Sequence, residues 1–160
     1  MKYISLFCLL LVSSFSYAQQ NQVKVNNTSA VDITFTLKSF NTQNPGTCLP
    51  MIFNDVPVLL PSERGEFYKD HNSTYDASFP INQWRVLAKD GTNTVYNIPA
   101  TSIDQSITDE VEWKQITITT PTGSYTLGLD CSGAGTNHIV AGGITMDLNY
   151  VGTIMNVDIN

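Results

Sequence analysis

Val31-Asp32-Ile33-Thr34-Phe35-Thr36-Leu37-Lys38 is the stretch that decides the fold. Apolar and polar residues alternate strictly along it. That pattern marks a strand with one face in a core and one in water, because successive side chains of an extended chain point to opposite sides. Toward the N-terminus, Val23 and Val25 read as a shorter strand, and Asn26-Asn27-Thr28-Ser29 carries turn-forming residues. These two strands are expected to form a hairpin.

Toward the C-terminus, residues 41–50 hold Asn, Pro and Gly and read as a loop ending near Cys48. Met51 to Leu60 is interrupted by Pro57 and closed by Pro61, so an edge strand or two short pieces is expected. Gln83 to Lys89 and Thr94 to Ile98 flank Asp90-Gly91, a strong hairpin signal. Val111 to Thr120 and Ser124 to Asp130 flank Pro121-Thr122-Gly123 as a third hairpin. In its first arm Val111 and Trp113 are in one phase while Ile116 and Ile118 are in the other, which predicts a β-bulge near Lys114-Gln115. Ile144, Met146, Leu148 and Tyr150 alternate, and Gly152 turns the chain into Ile154 to Ile159. A turn or so of helix is expected within Ile103 to Glu110, and Ser132 to Asn137 reads as a Gly-rich loop. The total is about eight or nine strands, the pattern of an all-β, single-domain antiparallel β-sandwich, Greek-key or jelly-roll-like, with a small barrel as the related alternative.

The first residues have a different character. Lys2 precedes an apolar run from Ile4 to Val12, and Ser16 and Ala18 are small. This order predicts a secretory signal peptide over residues 1–18, cleaved after Ala18, and a single β-sandwich domain over residues 19–160. The run is about half the roughly 20 apolar residues a bilayer span needs, so no membrane span is expected after cleavage. Cys8 leaves with the peptide. The expected location is secreted or periplasmic.

Cleavage leaves 142 of the 160 residues, with 7 basic and 14 acidic side chains. That acidic balance argues against nucleic acid as a partner. Charged residues make up only 14% of the chain, while Thr numbers 18 and Asn 14. Hydroxyls and amides therefore do much of the solvating, as suits an exported β protein. Cys48 and Cys131 are an even pair in a chain sent to an oxidising compartment, and a disulfide between them is expected.

Chemistry-bearing patterns are few. Asp130-Cys131-Ser132-Gly133 resembles, over those four positions, the surround of the catalytic cysteine in a family of cell-wall peptidases. The resemblance implies a cysteine opening a helix, with a histidine base further on. Here Gly133-Ala134-Gly135 opposes a helix, and a strand end that gives Cys131 to a disulfide accounts for the same letters. Glu110 and Glu112 stand at the two-residue spacing that places carboxylates on one strand face, roughly 7 Å apart. Such a pair could serve an inverting glycosidase, or it could be a solvated face with Val111 and Trp113 inward. A calcium site using Asp104 or Asp109 matches no EF-hand spacing. His71 and His138 form no zinc signature, so neither a metal nor a cofactor is expected. Asn26, Asn27 and Asn72 begin glycosylation sequons.

Phe67, Tyr68, Tyr75, Phe79 and Trp84 fall close together among Asp70, His71, Asn72 and Asp76. Flat rings beside short polar side chains suit a sugar-binding platform. Tyr68, Tyr75, Asp76 and Trp84 are therefore the candidate ligand-binding residues, and the competing reading is that most of these rings are core. The sequence thus points to an exported non-catalytic binding or adhesion module for a glycan or another surface protein. The alternatives are a secreted hydrolase using Glu110 and Glu112, and a membrane-active toxin whose hairpin from Val111 to Asp130 would insert.

Overall fold

The computed structural model describes residues 22–160, so the expected signal peptide at residues 1–18 lies outside the described part. In chain order the strands are β1 (Gln22–Asn27), β2 (Ile33–Phe40), β3 (Met51–Phe53), β4 (Val58–Leu60), β5 (Arg64–Tyr68), β6 (Gln83–Leu87) and β7 (Asn93–Asn97). A single-turn helix, α1 (Gln105–Thr108), precedes β8 (Glu112–Thr120), β9 (Gly123–Leu129), β10 (Gly135–Thr136), β11 (His138–Ala141), β12 (Ile144–Val151) and β13 (Ile154–Ile159).

Two sheets result, in the orders β11-β12-β13-β1-β5 and β10-β9-β8-β2-β3-β6-β7, with β4 also bonded to β2. Their pairings are antiparallel except for β1 with β13, which is parallel. One contiguous core joins them. Val23, Val25, Tyr68, Met146, Leu148, Val157 and Ile159 come from the first sheet, and Ile33, Phe35, Leu37, Trp84, Trp113, Ile116 and Ile118 from the second. The alternation read at residues 31–38 is realised in β2, with Ile33, Phe35 and Leu37 buried and Thr34, Thr36 and Lys38 turned toward solvent. The disulfide joins Cys48 to Cys131 with Cα atoms 5.6 Å apart.

The hairpin expected between β1 and β2 does not form, because the two strands lie in different sheets. Asn27 explains the crossing. Its buried Nδ2 donates to the carbonyls of Val31 at 2.9 Å and Pro61 at 3.0 Å, and its Oδ1 accepts from the Ser29 hydroxyl at 2.6 Å. The side chain thus satisfies the main-chain groups exposed where the chain changes sheet. The second and third hairpins form as β6-β7 and β8-β9, and β12-β13 is a fourth.

Met51 to Leu60 resolves into two short pieces laid end to end along β2, with β3 held between β2 and β6 and not at an edge. Between them Asn54 accepts from Leu37 N–H at 2.6 Å, replacing the missing strand partner. The bulge is where the change of phase placed it. Lys38 faces Gln115 and Ser39 faces Trp113, so Lys114 is the extra residue. The strands number more than eight or nine because β5 has no clean alternation of burial and the short β10 and β11 bury no residue.

Candidate functional site

The aromatic segment does not form one surface. Tyr68 is 1% exposed, and its hydroxyl donates to the Phe79 carbonyl at 2.6 Å. Trp84 is fully buried, its indole N–H shared between the His71 carbonyl at 3.0 Å and the Thr74 hydroxyl at 3.1 Å. Both rings are core, and neither can stack on a ligand in this fold. Tyr75, 40% exposed, and Asp76 remain at the surface, in a 3-10 turn (Thr74–Asp76).

His71 lies among these rings. It stacks on Trp113 with centroids 4.1 Å apart and meets Trp84 edge-on at 5.1 Å. Its Nε2 and the Ser39 hydroxyl are 2.8 Å apart. Burial pushes the imidazole pKa down to about 3, so the ring is neutral at ordinary pH. A serine beside a neutral histidine is the start of a nucleophile and base pair. Ser39, however, has no exposed surface, so no substrate reaches it and the pair is structural. A pocket of about 310 Å³ opens beside His71, lined also by Gln22, Lys69, Asp70 and Asn72.

The larger concavity is at one end of the sandwich. Strand register brings four loops to that end. Phe40 is level with Met51 and with Glu112, Leu87 with Asn93, and Leu129 with Gly135. The segments 41–50, 88–92, 104–111 and 130–134 therefore emerge side by side. Asn41, Thr42, Gln43, Asn44, Lys89, Asp109, Glu110 and Glu112 line a groove of about 780 Å³ among the first three. On the far side of Lys89 and Glu110 lies a second hollow of about 320 Å³, whose wall includes Pro50, Ala88 and Ile107.

The loops are tied together. Cys48 and Cys131 join the first to the last. Lys89 Nζ lies 2.5 Å from Glu110 Oε2, the same oxygen that accepts from Asn41 Nδ2 at 3.3 Å. Asn41 N–H donates to the Pro50 carbonyl, Asn44 Nδ2 to the Leu49 carbonyl and Cys48 N–H to the Asn44 carbonyl, which fold the first loop on itself. Asp104 caps α1 by accepting from Ser106 N–H at 2.8 Å, and the Ser106 contacts hold its carboxyl below the usual range.

The remaining patterns resolve simply. Asp130-Cys131-Ser132-Gly133 is a side-chain-capped turn. Asp130 Oδ1 accepts from the Ser132 hydroxyl at 2.6 Å and from the N–H groups of Ser132 and Ala134, and the Ser132 hydroxyl contributes most to lowering the carboxyl's pKa. Cys131 is spent in the disulfide. Glu112 pairs with Lys114 Nζ at 2.6 Å and Glu110 with Lys89, so each glutamate at the groove has a lysine partner. Asn26 Nδ2 donates to Asp158, Asn27 is buried, and Asn72 donates to the Ile103 carbonyl and accepts from its N–H, so each of the three sequon amides is engaged or buried. Among the described residues no group of three metal-ligating side chains converges, and no helix is long and apolar enough to cross a membrane.

Glu110 and Glu112 were visible in the sequence as a pair. Asn41, Asn44 and Lys89 were not singled out as site residues, since they lie far apart along the chain and only strand register assembles them. The signal that could have found them is position: each stands just beyond a strand end on the side of the molecule where the cysteines lie.

Fold and site together define an all-β, two-sheet, disulfide-linked protein with a polar groove built from the loops at one end. Compared with protein-family models, curated proteins and solved structures, the chain matches none.

Proposed function

We propose that this protein is an exported, non-catalytic binding module whose recognition surface is the loop end of the sandwich and whose ligand is a glycan. The observation that carries this reading is the groove of about 780 Å³ lined by three of the end loops, the first of which the Cys48–Cys131 bridge ties to a fourth. Rigid sheets that present loops at one end make a common binding architecture, because loops vary freely while the scaffold holds them. The volume falls within the range of small-molecule and oligosaccharide sites, roughly 300 to 1,000 Å³. The amides of Asn41, Gln43 and Asn44 and the Thr42 hydroxyl on its wall suit a ligand rich in hydroxyls.

The toxin reading requires β8 and β9 to leave the sheet. β8 is bonded on both sides, to β2 and β9, and buries Trp113, Ile116 and Ile118, so release would expose the centre of the core.

Retention of the folded protein on insoluble polysaccharides and whole cell walls, eluted with soluble sugar, tests the proposal. Retention that Thr42→Arg abolishes, by filling the groove from its rim, supports it. Retention that survives Thr42→Arg and is lost with Tyr75→Ala moves the site to the surface around Tyr75. Absence of retention on every material overturns the glycan ligand and leaves a protein partner.

A further inference from the structure

The cavity of about 310 Å³ beside His71 shares no lining residue with the loop-end groove. Residues 69–72, which follow β5, line it together with Gln22 at the start of β1 and with Gln105 and Thr108 of α1. Asn72 fastens these parts together. Its amide donates to the Ile103 carbonyl at 3.0 Å and accepts from the Ile103 N–H at 2.8 Å, just before α1. The wall is thus held in place before anything binds, which lowers the ordering cost of binding.

His71 supplies the observation that points to a ligand. The residue is only 5% exposed, and its two ring nitrogens have different fates. The Ser39 hydroxyl donates its single proton to the Ile52 carbonyl, so at the 2.8 Å contact between Ser39 and Nε2 it is the nitrogen that donates. Nε2 therefore carries the ring proton, and Nδ1 is a bare lone pair. Among the described residues nothing bonds to it. The one side-chain nitrogen or oxygen among them that is sealed from solvent without a partner is Trp113 Nε1. Nδ1 is therefore open, and the cavity that His71 lines is where it opens.

We infer that this cavity is a second binding site, separate from the groove, and that it takes a single neutral, polyhydroxylated ring such as a terminal sugar residue, with one ligand hydroxyl donating to His71 Nδ1. A lone pair in a confined place is satisfied by a cation or by a donated hydrogen. A metal ion is disfavoured by the Lys69 ammonium on the wall, and among the described residues no three metal-ligating side chains converge. Lys69 and Asp70 give the wall one charge of each sign, so net charge on a ligand gains little. Gln22, Gln105 and Thr108 add polar partners around the lone pair. The volume stands at the low end of the roughly 300 to 1,000 Å³ of small-molecule sites, which suits one ring and not a chain.

Long-range proton–nitrogen NMR on the intact mature protein, labelled with nitrogen-15 in histidine, reads the two ring nitrogens directly. Free protein is expected to show Nδ1 as the unprotonated nitrogen of a neutral ring. Titration with the methyl glycosides of glucose, galactose, mannose and N-acetylglucosamine should shift the Nδ1 resonance saturably with at least one of them, and Gln22→Trp, which fills the cavity from its wall, should weaken that binding at least about tenfold with an unchanged melting temperature. A protonated Nδ1 in the free protein overturns the proposal. So does a shift that a folded Gln22→Trp variant leaves intact. A shift produced by zinc ion or by acetamide, with every glycoside inert, overturns the hydroxyl assignment. If no probe moves Nδ1 while polysaccharide retention is still abolished by Thr42→Arg, this site falls and the loop-end reading stands. Glycosides that move Nδ1, with no retention on any polysaccharide, give the opposite result.

Discussion

His71 is the residue whose chemistry the fold changes most, and its burial makes a prediction about acid. Stacked on Trp113 and bonded to Ser39, the ring is neutral in the folded protein, with its pKa driven by desolvation from 6.5 to about 3. The unfolded chain takes up a proton on this residue as pH falls through about 6.5, while the folded protein does not until near 3. The unfolded state therefore binds more protons across that window, so stability is full above it and declines as pH falls, by up to about 1.4 kcal/mol per pH unit. The hydrogen-bonded Asp90, Asp104 and Asp130, all shifted downward, act only below their ordinary range near 4. Urea denaturation between pH 6.5 and 4.5 should show this slope in the native protein and a flatter one in His71→Phe; equal slopes would refute the assignment. The two tryptophans beside it offer a second contrast. Trp84 Nε1 has two acceptors, whereas Trp113 Nε1 is buried with no partner. Removing an indole N–H takes a donor from the His71 carbonyl and the Thr74 hydroxyl in the first case and from no acceptor in the second. Trp84→Phe should therefore cost more than Trp113→Phe by about 1 to 3 kcal/mol in chemical denaturation, and the reverse order would show that ring packing dominates.

Among the elements, the β8–β9 hairpin depends on one glycine. Lys114 is the extra residue of the bulge, and Gly128 opposite has φ +98, with a position for a Cβ only 1.9 Å from the Lys114 carbonyl oxygen. No side chain fits there without moving backbone. Gly133 provides the control, since its φ of +80 is similar but nothing lies within 4 Å of a Cβ there. Gly133→Ala should cost about 1 kcal/mol, the conformational penalty alone, and Gly128→Ala at least about 2 kcal/mol more. Equal losses in thermal melts would mean that the bulge relaxes to accept the methyl. This bulge was legible in the sequence, because Val111 and Trp113 point inward and so do Ile116 and Ile118, a phase that only an inserted residue reconciles. The alternation in β2 and the Asp90-Gly91 turn were legible for the same reason, as local patterns with local causes. The sheet assignment of β1 was not. Its parallel partner, β13, lies at the other end of the chain, and the Asn27 contacts that redirect the chain involve Leu60 and Pro61, which no local pattern announces.

At the scale of the whole molecule, the same distinction separates what could be read of the site. The cysteine pair and the Glu110–Glu112 spacing stand in the sequence, but the groove exists only because antiparallel register brings the ends of β2, β6 and β8 to one side. The aromatic cluster failed as a platform for a related reason: rings close in sequence were divided by strand alternation and loop packing between core and surface, and burial claimed Tyr68 and Trp84. The bridge is then the single covalent tie across the loop end, closing a sequence separation of 83 residues. In the chain-entropy account, losing it costs up to about 4.5 kcal/mol, because the unfolded chain regains the freedom that closure removed. Cys48→Ser with Cys131→Ser should lower the stability measured in urea by up to that amount. Its effect on the groove should be larger than its effect on the sheets. Loop 41–50 keeps its own hydrogen bonds, Asn44 to Leu49 and Asn41 to Pro50, yet without the bridge its covalent link to segment 130–134 is gone, while β2, β8 and β9 remain bonded along their length. Amide exchange should accelerate at residues 41–50 and 130–134 while that of β2 and β8 stays slow, and glycan retention should fall in a protein that is still folded. Acceleration spread evenly over both sheets would instead mean that the bridge holds the sandwich as a whole, and that the groove has no separate dependence on it.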